Sequence, residues 1–249
     1  MAARGSRGIW VQVRLGIAAA LAVLCFCPAS AQWTKTGLPV REEARGVAFG
    51  SAGAITYGFV GLEQFGVYWS QSTDTGHTWA KWQATGLDEF VLGDVSVNAL
   101  KTSPSFFTDN LVVAGTADGR VYYSTDLSGS WQAWSQSLGL PFPGSRINEI
   151  VFDPSGLYAC TDLGLYRSLD NGQHFSAFTP SVPGTGRITG LASNPSGKLW
   201  VTTYSSGTTS GGVYLYNGGS WSTLLDGGST TTYAFNCLAV SVESDPYFI

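Results

Sequence analysis

Charge is scarce in this chain: 12% of its 249 residues are Asp, Glu, Lys or Arg, and 13 basic residues face 17 acidic ones. No cluster of Lys and Arg follows the first stretch of the chain, which excludes nucleic-acid binding driven by phosphate neutralisation. Histidine is scarcer still, with only His77 and His174. No second His or Cys stands near either at ligand spacing, so neither a metal nor another cofactor is expected. Cysteine is too rare for a disulfide scaffold: beyond Cys25 and Cys27 there are only Cys160 and Cys237, either one bridge or two small buried hydrophobes. The longest apolar run, "LGIAAALAVLCFC", has 13 residues, short of the roughly 20 that cross a bilayer as a helix. Residues that build amphipathic helices are also thin. In their place stand 32 Gly, 9 Trp, 11 Tyr and 13 Phe, a composition for short strands joined by tight turns.

That apolar run belongs to an export signal. Arg4, Arg7 and Arg14 form a positive leading region, and "ASA" closes the segment at Ala31 with small residues. Residues 1–31 are therefore predicted to be a signal peptide, cleaved to leave a secreted or periplasmic protein with no stable membrane insertion. Cys25 and Cys27 follow Leu and Phe, not the small residue of a lipoprotein signal. Cleavage removes three arginines and no acid, so 10 basic and 17 acidic residues remain, a net charge of −7.

The rest of the chain repeats itself. "VVAGTADGRVYYSTDLSGSW", "LYACTDLGLYRSLDNGQHF" and "LWVTTYSSGTTSGGVYLYNGGSW" share an apolar alternating run, a Gly-containing turn, a second run, and a turn ending in an aromatic. "AITYGFVGLEQFGVYWSQSTDTGHTW" is a looser fourth copy. Ahead of each copy lies one more alternating run. "RINEIVFDPSG" from Arg146 and "RITGLASNPSG" from Arg187 stand 41 residues apart. Period-two alternation over short runs predicts strands, and a four-strand unit repeated every forty to fifty residues predicts an all-β propeller of four-stranded blades.

The turns carry a family resemblance. Ser72, Asp74, Gly76 and Trp79 in "STDTGHTW" resemble the Asp-box, or BNR repeat, S-x-D-x-G-x-T-W. Ser168, Asp170, Gly172 and Phe175 match it with Phe for Trp. Ser124, Asp126 and Trp131 match with the Gly displaced to Gly129, and the last copy keeps Gly218 and Trp221, with Tyr214 and Tyr216 in place of Ser and Asp. The residue types suit a structural turn: Ser and Asp accept from unpaired backbone N–H groups, Gly takes positive φ, and the aromatic buries itself between sheets. In this reading the Asp residues pin blades and do not catalyse, and His77 and His174 occupy variable, solvent-facing positions. Trp79, Trp82, Trp131, Trp134, Phe175 and Phe178 recur at matching offsets, as packing residues would.

Ring closure also shows in the pattern. "QWTKTGLP" after the cleavage point resembles the outer-strand segments "KWQATGL" and "AWSQSLGLP". The chain ends at "SDPYFI", with an inner strand and no hairpin after it. Residues 32–249 are thus expected to form one propeller domain of four full blades plus an incomplete fifth. A truncated frame or a fragment of a larger ring explains that count, and a finished small propeller with a degenerate last blade is the alternative.

Asp-box propellers include sialidases, xyloglucan-active glycosidases, sortilin-type receptors and photosystem II assembly factors, so the resemblance implies a fold and leaves the activity open. A sialidase needs an arginine cluster, a Tyr nucleophile with a Glu, and an Asp acid/base. The early "[FY]-R-I-P" of that group is absent, and the mature arginines are Arg41, Arg45, Arg120, Arg146, Arg167 and Arg187. A xyloglucan-active enzyme needs two carboxylates across a cleft. "CTDLGLYRS" around Asp162 resembles an acidic motif of that group, with Asp94 as a conceivable partner; the plainer reading places Asp162 in the same hairpin turn as Asp118. The expected function is an exported binding or scaffold protein with a protein or glycan ligand. The alternative is a glycoside hydrolase whose catalytic residues are partly missing from this chain.

Overall fold

A computed structural model describes residues 43–87, 95–126, 131–141, 144–184, 187–204 and 211–226. The predicted signal peptide, the outer strand beginning "QWTKTGLP", the incomplete fifth blade, Arg41, Asp94, Gly129 and Cys237 lie outside these residues. Within them the fold is all-β, with four antiparallel four-stranded sheets. Blade 1 contains β1 (Ala44–Ala52), β2 (Ile55–Leu62), β3 (Val67–Ser72) and β4 (Gln83–Ala84). Blade 2 contains β5 (Val97–Thr102), β6 (Val112–Thr116), β7 (Val121–Ser124) and β8 (Ser135–Gln136), with one helical turn α1 (Phe106–Asp109) between β5 and β6. Blade 3 contains β9 (Ile147–Asp153), β10 (Gly156–Thr161), β11 (Gly164–Ser168) and β12 (Ser176–Ala177). Blade 4 contains β13 (Arg187–Ser193), β14 (Leu199–Tyr204), β15 (Gly212–Tyr216) and β16 (Trp221–Asp226).

In each sheet the strands follow chain order, and the first strands of successive sheets touch: β1 with β5, β5 with β9, β9 with β13. First strands therefore line the centre and fourth strands the rim, the arrangement of a β-propeller. Second strands lie between neighbouring blades, which is why β6 is buried at every residue. The cores sit between blades. Phe59, Leu100 and Trp131 share the first seam, Ile147, Ile150 and Phe175 the second, and Tyr158, Phe178 and Leu191 the third. Close approach needs small residues: a Cβ at Gly46 would lie 2.9 Å from that of Leu100, the residue blade 2 presents there. Leu100, Ile150 and Leu191 are all buried by this packing, whereas Val47, at the same register in blade 1, is 42% exposed.

All four inner strands carry a register break near their start, at Arg45, Asn98, Asn148 and Thr189. Such a bulge turns one extra side chain out of the ladder, and here the repetition sets one such residue per blade at the same end of the channel. Cys160 on β10 is a free, fully buried thiol, and burial pushes its pKa well up. It packs as a small hydrophobe between blades 3 and 4.

Candidate functional site

The channel end that carries the bulges is polar. At this end, in blades 1 to 3, the tip of the second hairpin bonds back to the entry of its own inner strand: Glu63 N to Glu43 O at 3.1 Å, Ala117 N to Ser96 O at 2.8 Å, and Asp162 N to Arg146 O at 3.3 Å. These bonds set Arg45, Arg120 and Arg146 at one end with Glu63, Asp118 and Asp162, and Arg187, at the start of β13, joins them through Asp162. Neighbouring blades are then tied by side chains. Arg45 pairs with Glu63 at 2.5 Å and donates to Asn98 Oδ1 at 3.3 Å, and Asn98 donates to Ile147 O at 3.2 Å. One blade on, Asn148 donates to Ile188 O at 2.6 Å and to Asp162 Oδ1 at 2.8 Å. Arg187 Nε stands 3.2 Å from the same Oδ1, with its guanidinium over the Tyr204 ring. Arg120 pairs with Asp118 at 3.3 Å, and deeper in, Lys101 pairs with Glu149 at 3.2 Å. Arg146 is exposed and has no side-chain partner among the described residues.

Beside this end, between the β10–β11 hairpin and the connection from blade 3 to blade 4, lies a cavity of about 380 Å³. Asp162, Leu163, Tyr166, Ser181, Val182 and Pro183 are among its walls. The polar end was not assembled by sequence reasoning. The one available signal was the placement of Arg146 and Arg187 at the same point of two repeats. Asp162 does sit in the hairpin turn equivalent to that of Asp118.

The acidic turns lie at the opposite, outer edge of the blades. Two of them share their bonding almost atom for atom. Ser72 Oγ donates to Asp74 Oδ1 at 2.6 Å and accepts from Gly76 N at 2.9 Å; Ser168 Oγ donates to Asp170 Oδ1 at 2.7 Å and accepts from Gly172 N at 2.9 Å. Asp74 Oδ1 accepts from Thr78 N, and Asp170 Oδ1 from His174 N, each at 2.8 Å. The second carboxylate oxygen takes Thr78 Oγ1 at 2.6 Å in one turn and meets His174 Nδ1 at 2.7 Å in the other. Position 174 is thus the Thr place of the repeat, not a variable one, although the ring remains exposed. The hydroxyls of Ser72 and Thr78, with the Thr78 N–H, hold the Asp74 carboxyl well below the usual carboxylate range. At Asp170 partial desolvation acts upward, but the His174 N–H, the Ser168 hydroxyl and the His174 ring outweigh it and bring the pKa to about 2. Gly76 and Gly172 take φ of 90° and 89°, where a Cβ would be strained.

The other two turns depart from the expected alignment. In blade 2, Asp126 N bonds Ser124 Oγ at 3.3 Å, but it is Trp134 whose Nε1 donates three residues back, to Trp131 O at 2.8 Å. Trp79 makes that bond to Gly76 O at 3.1 Å. Trp131 therefore holds the place of Gly76, with φ of 62°. In blade 4 the register sets Tyr216 opposite Leu199, as Ser168 is opposite Leu157. Tyr216 thus takes the Ser place, and Gly218, at φ 64°, the Asp place. The hairpin closes directly into β16, and Trp221 Nε1 donates to Pro180 O at 2.9 Å.

These turns also join blades at the rim. Leu138, just after β8, donates from N to Gln173 O at 2.9 Å and accepts from Phe175 N at 2.8 Å. Gly86 N donates to Trp131 O at 2.9 Å in the same manner. By fixing His174 N, Asp170 sets the two main-chain groups that flank it against the preceding blade.

The sequence matches no protein-family model and no curated protein. Similarity appears in solved structures. An ancestral GH74 enzyme aligns at 17% identity and TM-score 0.50, over 68% of this chain and 24% of that one. YCF48 bound to a D1 peptide aligns at 19% and 0.50, over 76% and 56%. The extracellular domain of BT4673 from B. thetaiotaomicron aligns at 13% and 0.54, over 84% and 26%. At these identities the likeness carries the propeller fold alone, and this chain spans at most 56% of those three.

Proposed function

We propose that this chain is an exported binding or scaffold propeller that takes a protein or glycan ligand at the arginine-bearing end of its channel. The observation that carries this reading is the placement at that one end of Arg45, Arg120, Arg146 and Arg187, one from each of the four described blades. Carboxylates hold three of them in place, joined at Arg45 by Asn98, so little side-chain order is lost when a ligand arrives. Arg146, exposed and without a side-chain partner among the described residues, offers a planar fork to a carboxylate or similar acceptor. YCF48, a structure of similar fold, holds a peptide, which supports a protein ligand as one of the two classes. Export rests on residues 1–31, and the acidic turns, read as Asp-boxes, serve the scaffold by latching adjacent blades.

The hydrolase alternative has Asp162 as its one candidate carboxylate in the described residues. That carboxylate is ion-paired with Arg187, and Glu43, Glu63, Asp118 and Glu149 each face a cation as well. A two-carboxylate mechanism requires one group free to give a proton and another free to act on the sugar. Arrays of glycans and peptides probed with residues 32–249 test the proposal. Binding is expected to be retained by wild type and lost in Arg146→Glu at unchanged melting temperature. Turnover of a fluorogenic sialoside or xyloglucan oligosaccharide by wild type, abolished in Asp162→Asn, would sink it.

A further inference from the structure

The cavity between blades 3 and 4 has a chemistry of its own. Its volume of about 380 Å³ falls within the roughly 300–1,000 Å³ of small-ligand pockets. Leu163, Tyr166, Val182 and Pro183 give it an apolar wall, and Leu163 is held 70% exposed at the hairpin tip. Asp162 supplies the polar counterpart. Its hydrogen bond from Asn148 Nδ2 and its ion pair with Arg187 Nε both fall on Oδ1, and among the described residues Oδ2 accepts nothing. The Asp162 side chain is 27% exposed, so a ligand donor at Oδ2 would replace solvent with a charge-assisted hydrogen bond.

We propose that this cavity takes a neutral aromatic group bearing one hydrogen-bond donor, a phenol or an indole, with the donor on Asp162 Oδ2 and the ring against the apolar wall. Charge argues for neutrality. A cation entering here would find the Asp162 charge already paired with Arg187; an anion would meet the carboxylate itself. The group has two possible sources, a free small molecule or a Tyr or Trp side chain of a partner protein. This inference rests on the binding reading and assigns it a subsite.

Titration of methyl-labelled protein with N-acetyl-tyrosinamide, phenol, N-acetyl-phenylalaninamide and tyramine tests it through the Leu163 and Val182 methyl shifts. The tyrosine amide is expected to shift both and to bind at least about tenfold more tightly than its phenylalanine analogue, because an acceptor built for a donor discriminates against its loss. Tyramine should bind more weakly than the neutral amide. Asp162→Ala should bring the tyrosine and phenylalanine probes to equality. Ser181→Trp, a change at an exposed wall position, should abolish both. A Tyr-centred hexapeptide that outcompetes phenol identifies a partner side chain as the source; parity identifies a small molecule. Absent methyl shifts at millimolar probe, or equal affinity of the two amides for wild type, overturn the inference. If array binding through Arg146 persists in that case, the subsite alone falls; if the arrays are blank too, the binding reading falls with it.

Discussion

Trp131 presents a sharp test of how the blade turns are built. Its backbone lies in the left-handed region at φ 62°, yet its indole is only 1% exposed. The ring meets Phe59 edge-on at 4.9 Å, Tyr57 at 6.2 Å and Phe106 in a stack at 5.8 Å. Trp131→Ala removes this packing and should cost about 3–5 kcal/mol. Trp131→Gly leaves the same void but restores a residue suited to the backbone. An L residue in this region is penalised by about 1–2 kcal/mol. Glycine's greater freedom in the unfolded chain returns about 0.4–1 kcal/mol of that. The smaller residue should therefore be the more stable of the two by roughly half to one kcal/mol. Urea denaturation followed by circular dichroism measures both midpoints. At a slope of about 2 kcal/mol per molar, the alanine variant should shift by about 2 M. A glycine midpoint below the alanine one would refute the assignment of Trp131 to the Gly place of the turn. Phe175→Ala, at an equally buried position with ordinary φ, is the control, and there glycine should be the worse substitution.

The Asp170 turn predicts an acid dependence. Its folded pKa of about 2 lies below the unfolded value of about 3.9, so its stabilisation is present above pH 4 and is lost as pH falls from about 4 to about 2; Asp170→Ala should flatten the melting temperature over that window, and an unchanged slope would count against the bonding described. Gly86→Ala should open the rim between blades 1 and 2, because its Cβ would lie 1.8 Å from Gln132 O; loss of amide protection near Gly86, with a cost above about 2 kcal/mol, is the expected result. N-terminal sequencing of exported protein should begin at Gln32, and recovery of an intact Met1 on soluble folded protein would refute the signal assignment.

Much of this was legible along the chain. Alternation in "RINEIVFDPSG" and "RITGLASNPSG" identifies β9 and β13, and the Ser–Asp–Gly spacing identifies two turns whose bonds match at each position. Where spacing drifted, sequence alignment misplaced residues. Three more residues separate Ser124 from Trp134 than separate Ser72 from Trp79, so sequence spacing sets Trp131 beside Trp79, while Trp134 makes its bond. In blade 4, Gly218 resembled the turn glycine but closes a tight hairpin at the Asp place, since no Asp or Ser is there to organise a wider loop.

Strand period, turn chemistry and repeat length depend on neighbours a few residues apart, so the sequence by itself determined the all-β class, the four-strand unit and its blade-forming turns. The polar end and the cavity depend on residues some forty positions apart that meet only when sheets stack. No local rule announces that Arg187 will stand on Asp162, that Asn98 will reach Ile147, or that Asp162 and Val182 will line one cavity. Those contacts follow from the bulge repeated in each inner strand and the glycine-lined seams that let blades close on one another, and only the tertiary structure decides them.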